Sequence, residues 1–184
     1  TVSAVGPGVS DLAVGDRVAW LDVLGSYTGR IVLPAARTVR VPDGVDLERA
    51  AAAMLQGVTA HYLITDTYPL RAGQTALIHA AAGGVGLLLV QLARAAGARV
   101  LATAGSPEKA DLARAAGADE VVLYRDVDVV EAVESLAGPH AVDVVYDGVG
   151  AATFDASLDV LRPRGMMVSF GNASGPVPPV SPLT

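Results

Sequence analysis

A glycine-rich segment carries the clearest chemical signal in this chain, the run His79-Ala-Ala-Ala-Gly-Gly-Val-Gly86. It follows an apolar stretch, 75–80, that predicts a buried strand, and it precedes a run of helix formers that stops at Gly97. A strand, a glycine turn and a helix in this order make a phosphate site, because the first N–H groups of a helix lack partners and carry partial positive charge. The spacing predicts that Gly84 and Val85 face a pyrophosphate.

The segment departs from the common dinucleotide fingerprint, because Ala81 stands where the first glycine would be. A tight strand-to-helix turn in any α/β protein is the alternative interpretation of the same letters. Ligands of open parallel sheets bind beyond the carboxyl ends of the strands. The residues that follow each predicted strand therefore help to decide between a phosphate site and a simple turn.

The end of the second predicted strand, 99–103, indicates which nucleotide would bind. A NAD-preferring site has Asp or Glu there to accept from the ribose 2′-OH, but this chain has a small loop, Ala104-Gly-Ser106, with no acid. The Ser106 hydroxyl and Lys109, one helical turn later, favour a 2′-phosphate, a contact worth about 1.5–3 kcal/mol. We therefore predict NADPH rather than NADH, the alternative for Lys109 being an ordinary solvated helix residue.

The ends of the later predicted strands carry an aromatic ring, a cation and several glycines. The third strand ends at Tyr124-Arg125, a ring and a cation suited to an adenine and its 2′-phosphate, the fourth at Asp147-Gly-Val-Gly150, and the fifth at Phe170-Gly-Asn-Ala173. Each glycine alone is more often a simple turn. Together they indicate backbone close to a ligand.

Composition limits the classes of protein. The 184 residues are enough for one large or two small domains, and 52% hydrophobic with 4% aromatic residues predicts an aliphatic core of the kind parallel sheets have. A net charge of −6 argues against a nucleic-acid partner or an anionic membrane. The chain has no cysteine, which excludes a disulfide and a thiolate metal site but does not fix the compartment. It has no signal peptide and no apolar run near about eighteen residues, so we expect a cytoplasmic protein.

Two kinds of secondary structure are predicted along the chain. Residues 1–45 indicate short strands, at 14–21, 29–33 and 38–42. A helix capped by Asp46 follows at 47–55, is interrupted at Gly57 and resumes at 59–64. From there strands alternate with helices, which means a doubly wound parallel sheet of α/β class. The predicted strands are 75–80, 99–103, 120–124, 142–147 and 166–171, with helices at 87–96, 107–116, 129–137 and 154–161.

Four segments in order give the chain a specific resemblance. They are 54–63, 79–86, 144–150 and 168–175, which read Met-Leu-Gln-Gly-Val-Thr-Ala-His-Tyr-Leu, His-Ala-Ala-Ala-Gly-Gly-Val-Gly, Val-Val-Tyr-Asp-Gly-Val-Gly and Val-Ser-Phe-Gly-Asn-Ala-Ser-Gly. Across essentially its whole length the chain resembles the NADPH:quinone oxidoreductase family. This family includes the zeta-crystallin-like proteins and is the zinc-free branch of the medium-chain dehydrogenases/reductases.

The resemblance implies a partial GroES-like β domain over 1–52 and a Rossmann domain over 53–184. It also implies one NADPH per subunit, a homodimer, and hydride transfer to quinones or other activated alkenes and carbonyls. Carried over by motif, the cofactor-binding residues are Gly84 and Val85 at the pyrophosphate; Gly105, Ser106, Pro107, Glu108, Lys109 and Tyr124 around the 2′-phosphate; and Tyr62, Val149, Phe170, Gly171, Asn172 and Ala173 beside the ribose and nicotinamide.

Family members extend further at both ends, so the chain looks like a central fragment with a loose tail at 176–182. No residue stands out as a general acid; Thr59 and Tyr62 are either near the nicotinamide or part of helix packing. The three histidines lack the spacing of metal ligands and the chain has no cysteine, so a zinc alcohol dehydrogenase is not indicated. His79 lies in a predicted buried strand and is expected to be a core residue whose nitrogens are hydrogen-bonded.

Three alternatives remain open at this point. The nearest is an enoyl reductase of the polyketide-synthase type, which shares the 79–86 run but matches less well at 124–125, 146–147 and 170–172. The second is a non-catalytic NADPH-binding protein with a sensing, lens-crystallin or RNA-associated role. The third is an inactive fragment.

Overall fold

A computed structural model describes residues 1–180, and the chain divides into two compact units, 1–58 and 59–184. In the first unit, two strands pair antiparallel, β1 (Val18–Trp20) and β2 (Thr38–Arg40), and a 3-10 helix, Ala35–Arg37, precedes β2. The strand predicted over 29–33 is wrong, because these residues are irregular and Val32 is fully exposed, so the apolar run has no buried face.

Helix α1 (Leu47–Tyr62) begins as predicted at Asp46, whose carboxylate accepts from the Glu48 and Arg49 amides at 2.9 and 3.1 Å. The interruption predicted at Gly57 is wrong. A Cβ there would meet only the Ala53 Cβ at 3.7 Å, so the glycine has ordinary helical surroundings, and the good helix formers around it carry the helix through. A π-helix, Leu63–Thr67, follows α1 directly.

Five parallel strands with helices between them make up the second unit. Their order in the sheet is β5-β4-β3-β6-β7, so the strand order reverses beside β3, which confirms the doubly wound parallel sheet. The elements are β3 (Thr75–Ile78), α2 (Gly84–Ala95), β4 (Arg99–Ala104), α3 (Pro107–Ala116), β5 (Glu120–Leu123), α4 (Val129–Ala137), β6 (Val142–Asp147), α5 (Phe154–Asp159) and β7 (Leu161–Ser169).

Local signals set the ends of α3. The Ser106 hydroxyl caps the helix by accepting from the Lys109 amide at 3.4 Å, and Pro107 occupies the first helical position. The helix ends at Gly117, whose φ of +115° is costly for any other residue. The predicted start and stop are both confirmed.

The last strand differs from its prediction. Strand β7 begins at Leu161, before the predicted start at 166, and α5 ends correspondingly earlier. Pro163 and Gly165 lie in an irregular stretch of the strand, where Arg164 has a φ of +64° and the pairing with β6 shifts register. Residues 176–180 of the predicted tail are irregular, and 181–182 lie outside the described residues.

Apolar side chains cover both faces of the sheet. Neighbouring residues Leu77 and Ile78 of β3 are both fully buried but belong to different clusters, because successive strand side chains point to opposite faces. Ile78 packs with the buried residues of α2, whereas Leu77 packs with Val133 of α4 and Val160 after α5. The sheet is therefore held rigidly from both sides, and the loops at its carboxyl edge are built on a fixed support.

Candidate functional site

A cavity of about 430 Å³ lies at the carboxyl ends of β3, β4, β5 and β6. This is the edge where open parallel sheets bind their ligands. Its lining is mostly apolar, with a few convergent polar groups. The lining residues are His79, Ala80, Ala82, Gly83, Thr103, Ala104, Gly105, Lys109, Tyr124, Val129, Val149, Ala152, Thr153 and Ser174.

The N-terminus of α2 borders this cavity through Gly83, its N-cap, which has no side chain to satisfy the first amides of the helix. Gly84 and Val85 form the first turn, so their N–H groups stand at the positive end of the helix dipole. A Cβ at Gly86 would lie 2.4 Å from the Ala80 carbonyl oxygen, so glycine lets the helix start directly against the end of β3. The arrangement fits a bound phosphate.

Three predicted residues after β4 and β5 lie together in the cavity lining. The Tyr124 ring lies against the Gly105 backbone, since a Cβ on Gly105 would lie 2.6 Å from the Tyr124 hydroxyl. Lys109 is exposed on the first turn of α3 and joins them in the lining. Within residues 1–180 no carboxylate forms a salt bridge with Lys109, which leaves its charge available for an anion.

The other residues predicted around the 2′-phosphate lie beside this corner rather than in the lining. Ser106 and Pro107 form the start of α3, and Glu108 is fully exposed next to them. The Ser106 hydroxyl lowers the pKa of the Glu108 carboxyl by hydrogen bonding to it, with help from the Glu108 amide. The hydroxyl of Ser106 is thus already engaged by its own helix.

The loops after β6 and β7 are joined to each other by backbone contacts. Phe170 donates its amide to the Asp147 carbonyl at 2.9 Å, and Ala173 donates to the Gly148 carbonyl at 3.3 Å. A Cβ on Gly148 would lie 2.9 Å from the Phe170 ring, and one on Gly171 would lie 2.7 Å from the Gly148 oxygen. Glycines therefore permit this close approach.

Among the residues predicted beside the ribose and nicotinamide, Val149 alone lies in the cavity lining. Phe170, Gly171, Asn172 and Ala173 occupy the second of the joined loops, outside that lining. Tyr62 is the last residue of α1, is 42% exposed and also lies outside the lining. Their predicted contacts with a nucleotide remain predictions.

A group of buried polar side chains at the base of the cavity, of which His79, Thr103 and Thr153 reach its lining, is the main feature that the sequence analysis missed. His79 is confirmed as a satisfied core residue: Nδ1 lies 3.1 Å from Thr103 Oγ1, and Nε2 lies 3.0 Å from Ser157 Oγ. The Ser157 hydroxyl in turn lies 3.2 Å from Asp147 Oδ2, and Thr153 Oγ1 donates to the same oxygen at 2.7 Å. Four of these residues are completely or almost completely shielded from solvent, namely His79, Thr103, Asp147 and Ser157.

Residues 1–180 contain no group of three or more His, Asp or Glu side chains that could hold a metal ion, and the sequence has no cysteine. No helix among those residues is both long and apolar enough to span a membrane.

The chain is similar in sequence and in structure to known reductases. The chain is 51% identical over 177 residues to a quinone oxidoreductase of Pseudomonas aeruginosa, covering 96% of this chain and 54% of that protein. It is 44% identical over 182 residues to a 2-haloacrylate reductase of a Burkholderia species, covering 97% and 55%. The crystal structure of Escherichia coli quinone oxidoreductase complexed with NADPH superposes with a TM-score of 0.92 at 44% identity, again covering 97% and 55%.

The strand order and the cavity at the switch in that order define a Rossmann-type α/β unit. The family described as zinc-binding dehydrogenase matches residues 84–184, and this chain belongs to that family. Its similarity to quinone oxidoreductases confirms the resemblance stated from the sequence. The chain spans about half the length of the relatives it matches.

Proposed function

We propose that residues 53–184 form an NADPH-binding domain, preceded by part of a GroES-like β domain over 1–52. The whole protein would transfer a hydride from NADPH to a quinone or another activated alkene or carbonyl. One observation carries this proposal: a single cavity brings the α2 N-terminus together with Lys109 and Tyr124, at a strand end without an acid. The NADPH complex of the Escherichia coli relative and the name of the 2-haloacrylate reductase support it.

Different residues of the cavity would bind the two phosphate groups of the nucleotide. The amides of Gly84 and Val85 would hold the pyrophosphate, and the Lys109 ammonium would hold the 2′-phosphate beside Tyr124. An Asp or Glu after β4 would repel that phosphate, and the loop has neither.

Bound NADPH would supply the hydride, while the protein orients it and excludes water. Val149 would contribute an apolar wall on the β6 side, and the joined loop at 170–173 would support that wall from behind. Three further features belong to the same proposal: a homodimer, a cytoplasmic location and a mechanism without zinc. No nucleic-acid or membrane partner is part of it.

The test is calorimetric titration of this chain with NADPH and NADH, beside the variants Lys109→Ala and Lys109→Arg. We expect NADPH to bind at least about tenfold more tightly than NADH, since a charge-assisted phosphate contact is worth about 1.5–3 kcal/mol. Lys109→Ala should remove the preference while leaving NADH affinity unchanged, and Lys109→Arg should retain it. Equal affinities for both nucleotides in the unmodified chain would refute the assignment of Lys109.

A further inference from the structure

A continuous path of buried hydrogen bonds runs under the cavity from the end of β3 to the loop after β6. It starts at the Ala80 amide, which donates to Thr103 Oγ1 at 3.3 Å, and passes through the His79 ring to Ser157. It ends at Asp147, whose second oxygen, Oδ1, accepts from the Val149 and Gly150 amides at 2.7 and 3.0 Å. Strand β3 and the β6 loop are thus linked through side chains of three other elements.

The available protons give this path one direction. The single proton of Ser157 Oγ has two acceptors, Asp147 Oδ2 at 3.2 Å and the Thr153 carbonyl oxygen at 2.7 Å, so the oxygen itself accepts from His79 Nε2. His79 Nδ1 then accepts from the Thr103 hydroxyl. A neutral ring with its proton on Nε2 satisfies both ring nitrogens and leaves the Ser157 proton to be shared between its two acceptors. Burial favours the neutral form by lowering the pKa of His79.

A buried imidazole in a sheet core carries a desolvation cost that an aliphatic side chain of similar size would avoid. Its two nitrogens face different elements, Thr103 on β4 and Ser157 on α5, so it fixes their relative position. Ser157 is shared with the carboxylate that holds the loop backbone at Val149, a residue of the cavity lining. A change at His79 therefore reaches Val149 in the cavity wall through three successive hydrogen bonds.

We propose that His79 is a positioning residue for the nucleotide site: through Nε2 it holds Ser157 and Asp147 and thereby sets the place of Val149 in the β6 wall. The proposal rests on the proposed NADPH binding. Strands β6 and β4 flank β3 on opposite sides. The Val149 wall follows β6 and Lys109 follows β4, so the two lie on opposite sides of β3. Loss of the Nε2 bond, with the Thr103 bond on the β4 side retained, should therefore affect the part of NADPH bound near Val149 and leave the adenosine part unaffected.

Two substitutions of the same residue separate the two nitrogens. In His79→Gln the amide nitrogen reaches about as far as Nε2 and retains the Ser157 bond, whereas in His79→Asn the shorter amide replaces Nδ1 and leaves Ser157 without its donor. Ser157→Ala removes the same bond from the other side. Each variant is titrated with NADPH and with adenosine 2′,5′-bisphosphate, and amide hydrogen exchange is measured at Val149 and Gly150.

We expect His79→Asn and Ser157→Ala to weaken NADPH binding about tenfold, the scale of one buried hydrogen bond. His79→Gln should bind like the unmodified chain, and all variants should bind the bisphosphate equally. Equal NADPH affinities in every variant, equal weakening of both ligands, or a His79→Gln as impaired as His79→Asn would each overturn the proposal.

Amide exchange decides the question even if the unmodified chain binds neither ligand, an outcome that would refute the proposed function. Exchange at Val149 and Gly150 should accelerate at least about tenfold in His79→Asn and Ser157→Ala, because the carboxylate that holds these amides loses its support. It should remain slow in His79→Gln. Unchanged exchange in the first two variants would show that the loop does not depend on His79.

Discussion

Replacing Gly86 with alanine tests whether close packing of α2 on the end of β3 builds the phosphate site. The added Cβ would lie 2.4 Å from the Ala80 carbonyl oxygen and 2.8 and 2.9 Å from Ala81 Cα and C, all of them backbone atoms that no side-chain rotation can move. Reaching an ordinary separation near 3.4 Å requires the start of α2 to shift by about 1 Å. Overpacking of a buried site costs about 1–3 kcal/mol, and three close contacts put this one at about 3.

The same shift carries the Gly84 and Val85 amides away from their places, so NADPH affinity should fall at least about tenfold. Urea unfolding and calorimetry measure the two effects. Gly57→Ala is the matched control: its Cβ meets only ordinary contact, so the better helix propensity of alanine should raise the free energy of unfolding by about 0.5–1 kcal/mol. A Gly86→Ala chain with stability within about 0.5 kcal/mol of the original and unchanged NADPH affinity would refute the reasoning.

Two further predictions concern polar side chains of the sheet. Burial lowers the pKa of His79 below 6.5, and the negative charge of Asp147 opposes this effect only in part. His79 therefore binds a proton at a higher pH in the unfolded chain than in the folded chain, so the free energy of unfolding falls as the pH drops below 6.5. Urea titrations across pH should show a smaller loss in His79→Gln; identical pH dependence would contradict the assignment. Asp143 accepts from the Thr75 amide at 2.8 Å and from Arg162 Nε at 2.6 Å. Asp143→Ala should therefore cost about 1–3 kcal/mol, and Asp143→Asn, which retains an acceptor for one of the two donors, should cost less; equal losses in urea unfolding would contradict this.

Much of the second unit could be predicted because its signals are local. The Ser106-Pro107 start and the Gly117 end of α3 lie within a few residues of the bonds they make, and the apolar runs of β3 and β6 are buried wherever they pair. The wrong strand at 29–33 shows the limit of such signals, because β structure depends on a partner strand and a buried face that a short apolar run does not reveal.

The polar network could not be predicted for a related reason. His79 and Ser157 are 78 positions apart, and nothing near Ser157 in the sequence distinguishes it from an ordinary helix serine. A polar residue within the apolar run 75–80 was the available signal, and it gave the correct burial of His79 without its partners. The cavity residues Tyr124 and Lys109 were accessible to prediction because Tyr124 directly follows β5 and Lys109 lies on the first turn of the helix after β4, at the strand ends where the fold places its ligands.

The central position of β3 has a consequence for how the chain orders itself. Strand β3 pairs with β4 across a separation of 24 residues and with β6 across 68. The loop-closure entropy makes the second pairing about 0.9 kcal/mol less favourable than the first, before the contacts between the strands are counted. One continuous segment, from β3 to β5, therefore supplies the pyrophosphate turn and the Lys109 corner, whereas the Val149 wall exists only after a far larger part of the chain has been brought together.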